Sequence, residues 1–224
     1  DYEHQSDIWY RRIIFKTIAK NRFYKNVLKQ IDRFMGITMS SIKWLVQEHG
    51  LSESDIDFVP LGVDTDLFIH STTSRLLIRK KYGIQDEDIL IITAGRSEPN
   101  KNIDILLRSC IPLIKNQRTL KIMIIGSKKG TYYEQLYRIV IDSDEVENIL
   151  FLEFVEREKL PAYYSAADIG IWPGKPSITI QEAMSTSLPI ILADAESTRH
   201  LIHDNGLTYP NGNIISLREK TYTF

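Results

Sequence analysis

The chain reads as a doubly wound α/β fold, a parallel sheet with helices on both faces, preceded by a partial βα segment. Three observations carry this reading. From Asp57 onward, short β-branched runs alternate with longer stretches of helical period. Each short run is nearly all apolar, as a strand buried on both faces must be. Several of the longer stretches open on a Ser, Thr or acidic residue able to cap the free N–H groups of a first turn.

Taken in order, strands are expected at 56–60, 89–94, 121–126, 149–152, 169–172 and 190–193. Helices are expected between them at 73–82, 102–115, 132–141, 158–167, 178–187 and 197–204. The helix at 102–115 carries a periodic apolar stripe (Ile105, Leu106, Cys110, Leu113, Ile114) on which Cys110 reads as a small core residue. Tyr163, Tyr164 and Trp172 read as core aromatics.

The first fifty residues differ. A long basic helical stretch at 8–30 precedes a short strand at 34–39 and a helix from Ser40 or Ser41 to His49. This amounts to one βα unit, too little for a domain. Residues 1–56 are therefore read as the end of a preceding domain, 57–215 as the main domain and 216–224 as a loose end. The basic residues Arg11, Arg12, Lys16, Lys20, Arg22, Lys25, Lys29 and Arg33 recur at roughly helical spacing, which fits a solvated helix face. Peripheral contact with anionic lipid headgroups is the alternative. Asn205-Gly206-Leu207-Thr208-Tyr209-Pro210 reads as loop, because Gly and Pro punctuate it.

Composition excludes several classes. The 224 residues are 43% apolar and 25% charged, with a net charge of −1, so nothing global points to nucleic acid or an anionic membrane. One cysteine rules out an internal disulfide and a multi-cysteine metal site. No apolar run approaches the roughly 18 residues of a membrane span, and no signal-peptide core follows the start. A cytoplasmic protein is expected, although the chain opens on Asp1 rather than Met and a removed upstream segment stays open. His200 and His203, one turn apart on the expected helix at 197–204, read as a surface pair rather than metal ligands.

Three segments lie where strands hand over to helices, the edge at which open α/β sheets bind ligands. In Gly95-Arg96-Ser97-Glu98-Pro99-Asn100-Lys101, glycine permits a sharp exit from the strand, and two cations reach the sheet mouth, where a diphosphate needs charge compensation. The same loop also reads as an ordinary solvated turn. In the segment from Pro173 to Met184, the helix start at Ser177, Ile178 and Thr179 offers N–H groups to phosphate oxygens, with Glu182 one turn on in reach of a sugar hydroxyl. A capping box is the equal alternative. In the segment from Val59 to Phe68, Gly62 lets a ligand approach the backbone; on physical grounds alone this is only a turn.

These residues also carry a resemblance. Pro60-Leu61-Gly62-Val63-Asp64 with Phe68 resembles the signature that opens the donor domain of family 4 glycosyltransferases (glycosyl transferases group 1). Gly95-Arg96 with Lys101 resembles that family's diphosphate clamp. Phe151-Leu152-Glu153-Phe154-Val155, with Leu160, Tyr164 and Ala167-Asp168, resembles the stretch whose backbone receives the nucleotide base. Glu182-Ala183-Met184 with Leu188-Pro189 resembles its acidic helix and following strand. The segments stand in the family order over roughly 160 residues.

The resemblance implies the Rossmann-like donor half of a GT-B glycosyltransferase, with most of the preceding acceptor half and the closing C-terminal helix missing. The expected activity is transfer, with retention, of a sugar from a nucleotide-diphosphate sugar to a glycan or lipid-linked acceptor in cell-surface polysaccharide synthesis. Arg96 and Lys101 would stabilise the leaving diphosphate and Glu182 would hold the ribose. Gly62, Gly95, Phe154, Val155, Ser177, Ile178 and Thr179 would bind the donor. No metal and no further cofactor are expected, because fixed cations and helix N–H groups stabilise the leaving group. Two departures stand out: Gly174 occupies the place of the first of two family glutamates, and Ser187 replaces a common glycine. Lys175 beside Gly174 reads as solvated, with contact to a charged donor sugar as the alternative. A non-catalytic nucleotide-sugar-binding fragment that needs a separate acceptor domain is the competing reading.

Overall fold

The structure is a computed structural model that describes residues 26–28, 30–117 and 119–223. The basic stretch expected at 8–30 lies almost wholly outside the described residues, and of its cations only Arg33 falls within them. The described residues contain no helix long and apolar enough to cross a membrane. The chain divides into two compact units, residues 1–61 and 62–224.

In the first unit, β1 (Phe34–Gly36) and β2 (Ile56–Phe58) form a two-stranded parallel sheet, linked by α1 (Met39–His49). Thr38 caps α1: its Oγ1 accepts from Ser41 N at 3.1 Å while Ser41 Oγ accepts from Thr38 N at 3.0 Å. Gly50 ends the helix at φ 67°, a conformation that costs glycine least. Arg33 clamps Asp57 through Nε at 3.0 Å and Nη2 at 2.5 Å. The strand expected at 56–60 therefore pairs with β1 and is not part of the large sheet. Its sequence carries no mark of its partner, since a three-residue strand fits either sheet.

The second unit is a six-stranded parallel sheet in the order β5-β4-β3-β6-β7-β8. Its strands are β3 (Ile89–Ala94), β4 (Leu120–Ile125), β5 (Ile149–Leu152), β6 (Ile169–Trp172), β7 (Ile190–Asp194) and β8 (Gly206–Pro210). The helices are α2 (Thr72–Lys81), α3 (Ile103–Asn116), α4 (Thr131–Ser143), α5 (Leu160–Ala166), α6 (Thr179–Ser185) and α7 (Ile214–Tyr222). Successive strand residues face opposite layers, as the period of two dictates. Leu90, Ile92, Met123 and Ile125 pack with Phe68, Tyr164, Ile180 and Ala183, whereas Ile91, Ile122 and Ile124 pack with Leu106, Cys110, Leu136 and Leu217. Helices on both faces make the doubly wound fold.

Three expectations are corrected. The segment 205–210, read as loop, is the edge strand β8, where Pro210 is tolerated because an edge strand has one side that donates to no neighbour. The helix expected at 197–204 is only a 3-10 turn at Arg199–Leu201, held by Thr198, whose hydroxyl donates to Ala193 O at 2.8 Å. His200 and His203 are thus not paired on a helix; His203 Nε2 lies 3.0 Å from His200 O. Residues 216–224, read as a loose end, belong mostly to α7, which Asn213 caps by accepting from Ser216 N at 2.9 Å. Leu217 on that helix is fully buried against the α3 face, and one apolar anchor per two turns is too weak a pattern to announce a helix.

Candidate functional site

The strand order reverses between β3 and β6, the switch point at which doubly wound sheets open a crevice beyond their carboxyl ends. Hydrogen bonds tie the strand exits together. Gly95 N donates to Ile125 O at 3.1 Å, Ser97 N to Gly126 O at 3.1 Å, and Ser127 N to Leu152 O at 2.9 Å. Gly126 sits at φ 93°, and a Cβ there would strike Gly95 O. Only glycine lets the two exits approach so closely.

Above this floor lies a cleft of about 610 Å³. Ala94, Ile125, Val155 and Leu160 make an apolar wall; Arg96, Lys128 and Lys129 supply cations; Thr179, Glu153 and Phe154 complete the lining. An apolar wall beside a cluster of cations suits a ligand with one flat apolar end and one anionic end.

Of the residues expected from sequence, Gly95, Arg96, Phe154, Val155 and Thr179 meet in this cleft. Arg96 is 81% exposed and its Nη1 lies 3.3 Å from Glu98 Oε1, a weak surface pair that leaves the guanidinium available. Ser177 borders the floor, its Oγ 3.5 Å from where a Gly95 Cβ would stand. Thr179 does structural duty as well: its Oγ1 donates to Ala94 O at 2.7 Å and accepts from Trp172 Nε1 at 3.1 Å. Ile178 precedes α6 and is half-buried. Gly62 lies exposed in the irregular stretch before the turn closed by Phe68 N to Asp64 O, and does not line the cleft.

Lys101 and Glu182 occupy different surroundings. Lys101 Nζ donates to Lys175 O at 2.8 Å and Pro176 O at 3.3 Å. Burial, and then the neighbouring Lys175 cation, hold its pKa below the ordinary lysine value. The loop after β6 is fastened further by Lys175 N to Asn100 O at 2.8 Å and Asn102 Nδ2 to Pro173 O at 3.3 Å. Gly174 is part of that fastening, since a Cβ there would lie 2.5 Å from Asn100 O and 2.6 Å from Lys101 C. The place where the family pattern has a glutamate thus has no room for a side chain.

Glu182, on α6, is 1% exposed and accepts from Arg157 Nε at 2.7 Å through Oε1. That bond raises the Arg157 pKa above its ordinary value. The Arg157 guanidinium also lies over the Phe68 ring, 5.0 Å from its centroid. Tyr164 Oη is buried near this pair with no hydrogen-bond partner among the described residues; burial, then the Glu182 charge, push its pKa well above the ordinary tyrosine value.

Sequence reading missed Arg157 and the Gly126-Ser127-Lys128-Lys129 exit from β4. The latter repeats the pattern that flagged Gly95 to Lys101, a strand-ending glycine with cations before a helix, and was findable on that signal. Arg157 sits in a charged turn whose local sequence does not distinguish a partner. Asp168 belongs to the opposite, amino-terminal edge of the sheet, where it accepts from Arg75 Nη2 at 2.6 Å and Leu90 N at 2.7 Å; its role is structural.

The comparisons with known proteins fit this geometry. The family model for glycosyl transferases group 1 matches residues 74–221, about two thirds of the chain. The chain belongs to the glycosyl transferases group 1 family. Among the relatives of this group 1 chain is a D-inositol 3-phosphate glycosyltransferase of Geodermatophilus obscurus, 25% identical over 190 residues that cover 80% of this chain and 42% of the relative. Another is a GDP-mannose-dependent alpha-(1-6)-phosphatidylinositol monomannoside mannosyltransferase of Mycolicibacterium smegmatis, 30% identical over 118 residues, 53% of this chain and 30% of the relative. The chain thus spans less than half the length of these curated relatives. Among solved structures, Anabaena Alr3699/HepE in complex with UDP aligns with a TM-score of 0.77 and 19% identity over 86% of this chain and 53% of that one. A glycosyltransferase from Rickettsia africae aligns with a TM-score of 0.79 and 16% identity over 91% and 56%. At these identities the likeness is one of fold, the doubly wound half of a GT-B glycosyltransferase.

Proposed function

We propose that this chain is the donor-binding part of a glycosyltransferase and that its cleft receives a nucleotide-diphosphate sugar. The observation that carries the reading is the convergence of Gly95, Arg96, Lys128, Lys129 and Thr179 with an apolar wall at the switch point of the sheet. Fixed cations at that edge compensate a diphosphate, the leaving group on which negative charge develops during glycosyl transfer.

Arg96 meets the diphosphate directly. Lys101 contributes charge nearby while holding the loop at Lys175 and Pro176 against the turn it comes from. Ser177, Ile178 and Thr179 border the phosphate end, Phe154 and Val155 the base end, and Gly95 keeps the floor open between them. Glu182 serves the ribose once Arg157 yields its carboxylate. Gly62 opens the domain ahead of the turn at 65–67 and takes a smaller part. The reaction proposed is sugar transfer with retention to a glycan or lipid-linked acceptor of the cell surface. The relatives named for inositol phosphate and phosphatidylinositol substrates favour a polar or lipid-linked acceptor. No metal and no other cofactor are needed in this scheme. An N-terminal acceptor domain, in the same or another chain, would complete it, and peripheral membrane contact by the basic segment before Arg33 would bring a lipid-linked acceptor close.

The alternative is a non-catalytic nucleotide-sugar-binding module that needs a separate acceptor domain. Calorimetric titration with UDP, GDP and ADP, with and without magnesium, tests the binding claim. Sugar transfer assayed with and without an added N-terminal acceptor domain separates the two readings: the fragment reading requires activity only after that addition.

A further inference from the structure

We infer that Tyr164 is a positioning residue for the donor: its hydroxyl donates a hydrogen bond to the Glu182 carboxylate once the ribose of the donor has replaced Arg157 there. The inference rests on the donor-site reading and adds to it the group that steadies the ribose-binding carboxylate from inside the protein. Tyr164 lies on α5, is 1% exposed, and its Oη is buried with no hydrogen-bond partner among the described residues. A buried hydroxyl left unpaired is destabilising, whereas a phenylalanine would fill the same space without that cost. The ring alone satisfies the packing. Its centroid lies 6.3 Å from that of Phe68, in the core layer that both share with Ile180 and Ala183. Packing therefore explains the ring and leaves the hydroxyl without a use.

The surroundings supply one. The Arg157 guanidinium lies over the same Phe68 ring, 5.0 Å from its centroid, and donates from Nε to Glu182 Oε1 at 2.7 Å. Tyr164 and Arg157 thus flank one ring, and Glu182 is bonded to the second of them. The Glu182 charge reaches Tyr164, where with burial it keeps the phenol protonated and able to donate. The two members of the ion pair differ in freedom: Arg157 is half-exposed and can swing into water, whereas Glu182 is fixed in the interior. Ribose hydroxyls taking the place of Arg157 are neutral, so they leave the buried carboxylate charged and in need of further donors. Tyr164 meets that need without a new desolvation cost, because its hydroxyl is already out of water.

The test is calorimetric titration of the full chain and of Tyr164→Phe with UDP, GDP and ADP, and with the 2′,3′-dideoxy form of each. Without nucleotide the variant should unfold no earlier than the wild type, since it loses only an unpaired hydroxyl. A lower midpoint would overturn the inference by showing that the hydroxyl is already bonded. For whichever nucleotide the wild type binds, the expected result is an affinity about tenfold lower in Tyr164→Phe, with the two proteins equal toward its dideoxy form. Equal ribonucleotide affinity in both proteins would overturn the inference while leaving the donor site intact. An equal loss for the dideoxy form would also overturn it, because the hydroxyl would then not act through the ribose. A wild type that binds the two forms alike would remove the ribose role of Glu182, and this inference with it. A folded chain that binds none of the nucleotides would remove the donor-site reading as well.

Discussion

Arg157 and Glu182, 25 residues apart in sequence, meet through a 2.7 Å bond from Nε to Oε1 that neutralises a carboxylate only 1% exposed. Removing the cation would strand a charge in the interior. Arg157 is itself half-exposed, so solvent would screen part of the cost. Arg157→Ala should lower unfolding stability, by less than the full cost of breaking a pair buried on both sides. Adding Glu182→Gln to that variant should recover part of the loss. Urea denaturation of the two single variants and the double variant measures the coupling, and simple additivity would show that the pair contributes nothing.

Gly174 stands where the family pattern has a glutamate, and the geometry says why restoring one fails. A Cβ at this position would lie 2.5 Å from Asn100 O and 2.6 Å from Lys101 C, both backbone atoms that cannot swing away. Gly174→Glu should therefore lower stability by about 1–3 kcal/mol, as overpacking does, and should not tighten nucleotide-sugar binding. Thermal unfolding and calorimetry check the two halves of this statement; tighter binding at unchanged stability would contradict it.

Ser187 is a non-glycine residue at φ 61° just past α6. Its N–H bonds Met184 O at 2.9 Å, and Leu188 N bonds Ala183 O at 3.4 Å, the paired bonds of a Schellman ending. Glycine takes this left-handed conformation without a Cβ penalty, so Ser187→Gly should raise stability by about 0.5–1 kcal/mol. Ser187→Val should lower it, since a β-branched side chain is strained there. Guanidinium denaturation of both variants decides the sign.

Cys110 is fully buried on the inner face of α3, and burial pushes its thiol from 9.0 up to about 11. A folded pKa above the unfolded one means that the unfolded chain loses its proton first. The corresponding stability is complete below pH 9 and is lost as the pH rises to about 11, a loss of about 3 kcal/mol. Several tyrosines are raised as well, so the difference between wild type and Cys110→Ala across this window isolates the thiol. The same burial predicts that a thiol reagent labels Cys110 only as the chain unfolds.

Much of the second unit was legible because its strands carry their own signal. β3, β6 and β7 are apolar runs buried on both faces, β5 is an apolar edge strand half-buried after Ile149, and the expected bounds of all four fall within a residue of the observed ones. The failures occur where structure depends on neighbours. β8 is an edge strand punctuated by Gly206 and Pro210, and α7 has little besides Leu217 to bury. The cleft positions of Gly95 and Arg96 were readable because the sheet's topology fixes where strand exits lead, whereas that of Phe154 followed only from the family resemblance. Two attachments were not: Lys101 to the carbonyls of Lys175 and Pro176, and Glu182 to Arg157. Each joins segments remote in sequence, and no local pattern distinguishes a cation that waits for a ligand from one already bonded within the protein.

The most direct test of the donor site is titration of UDP, GDP and ADP, without added metal, into the wild-type chain, Arg96→Ala and the Arg96→Ala, Lys101→Ala double variant. The account predicts that one nucleoside diphosphate binds the wild type, about tenfold more weakly binds Arg96→Ala through loss of a charge-assisted contact, and no longer binds the double variant measurably. Unchanged affinity in the folded double variant would contradict the assignment of this cleft to the donor.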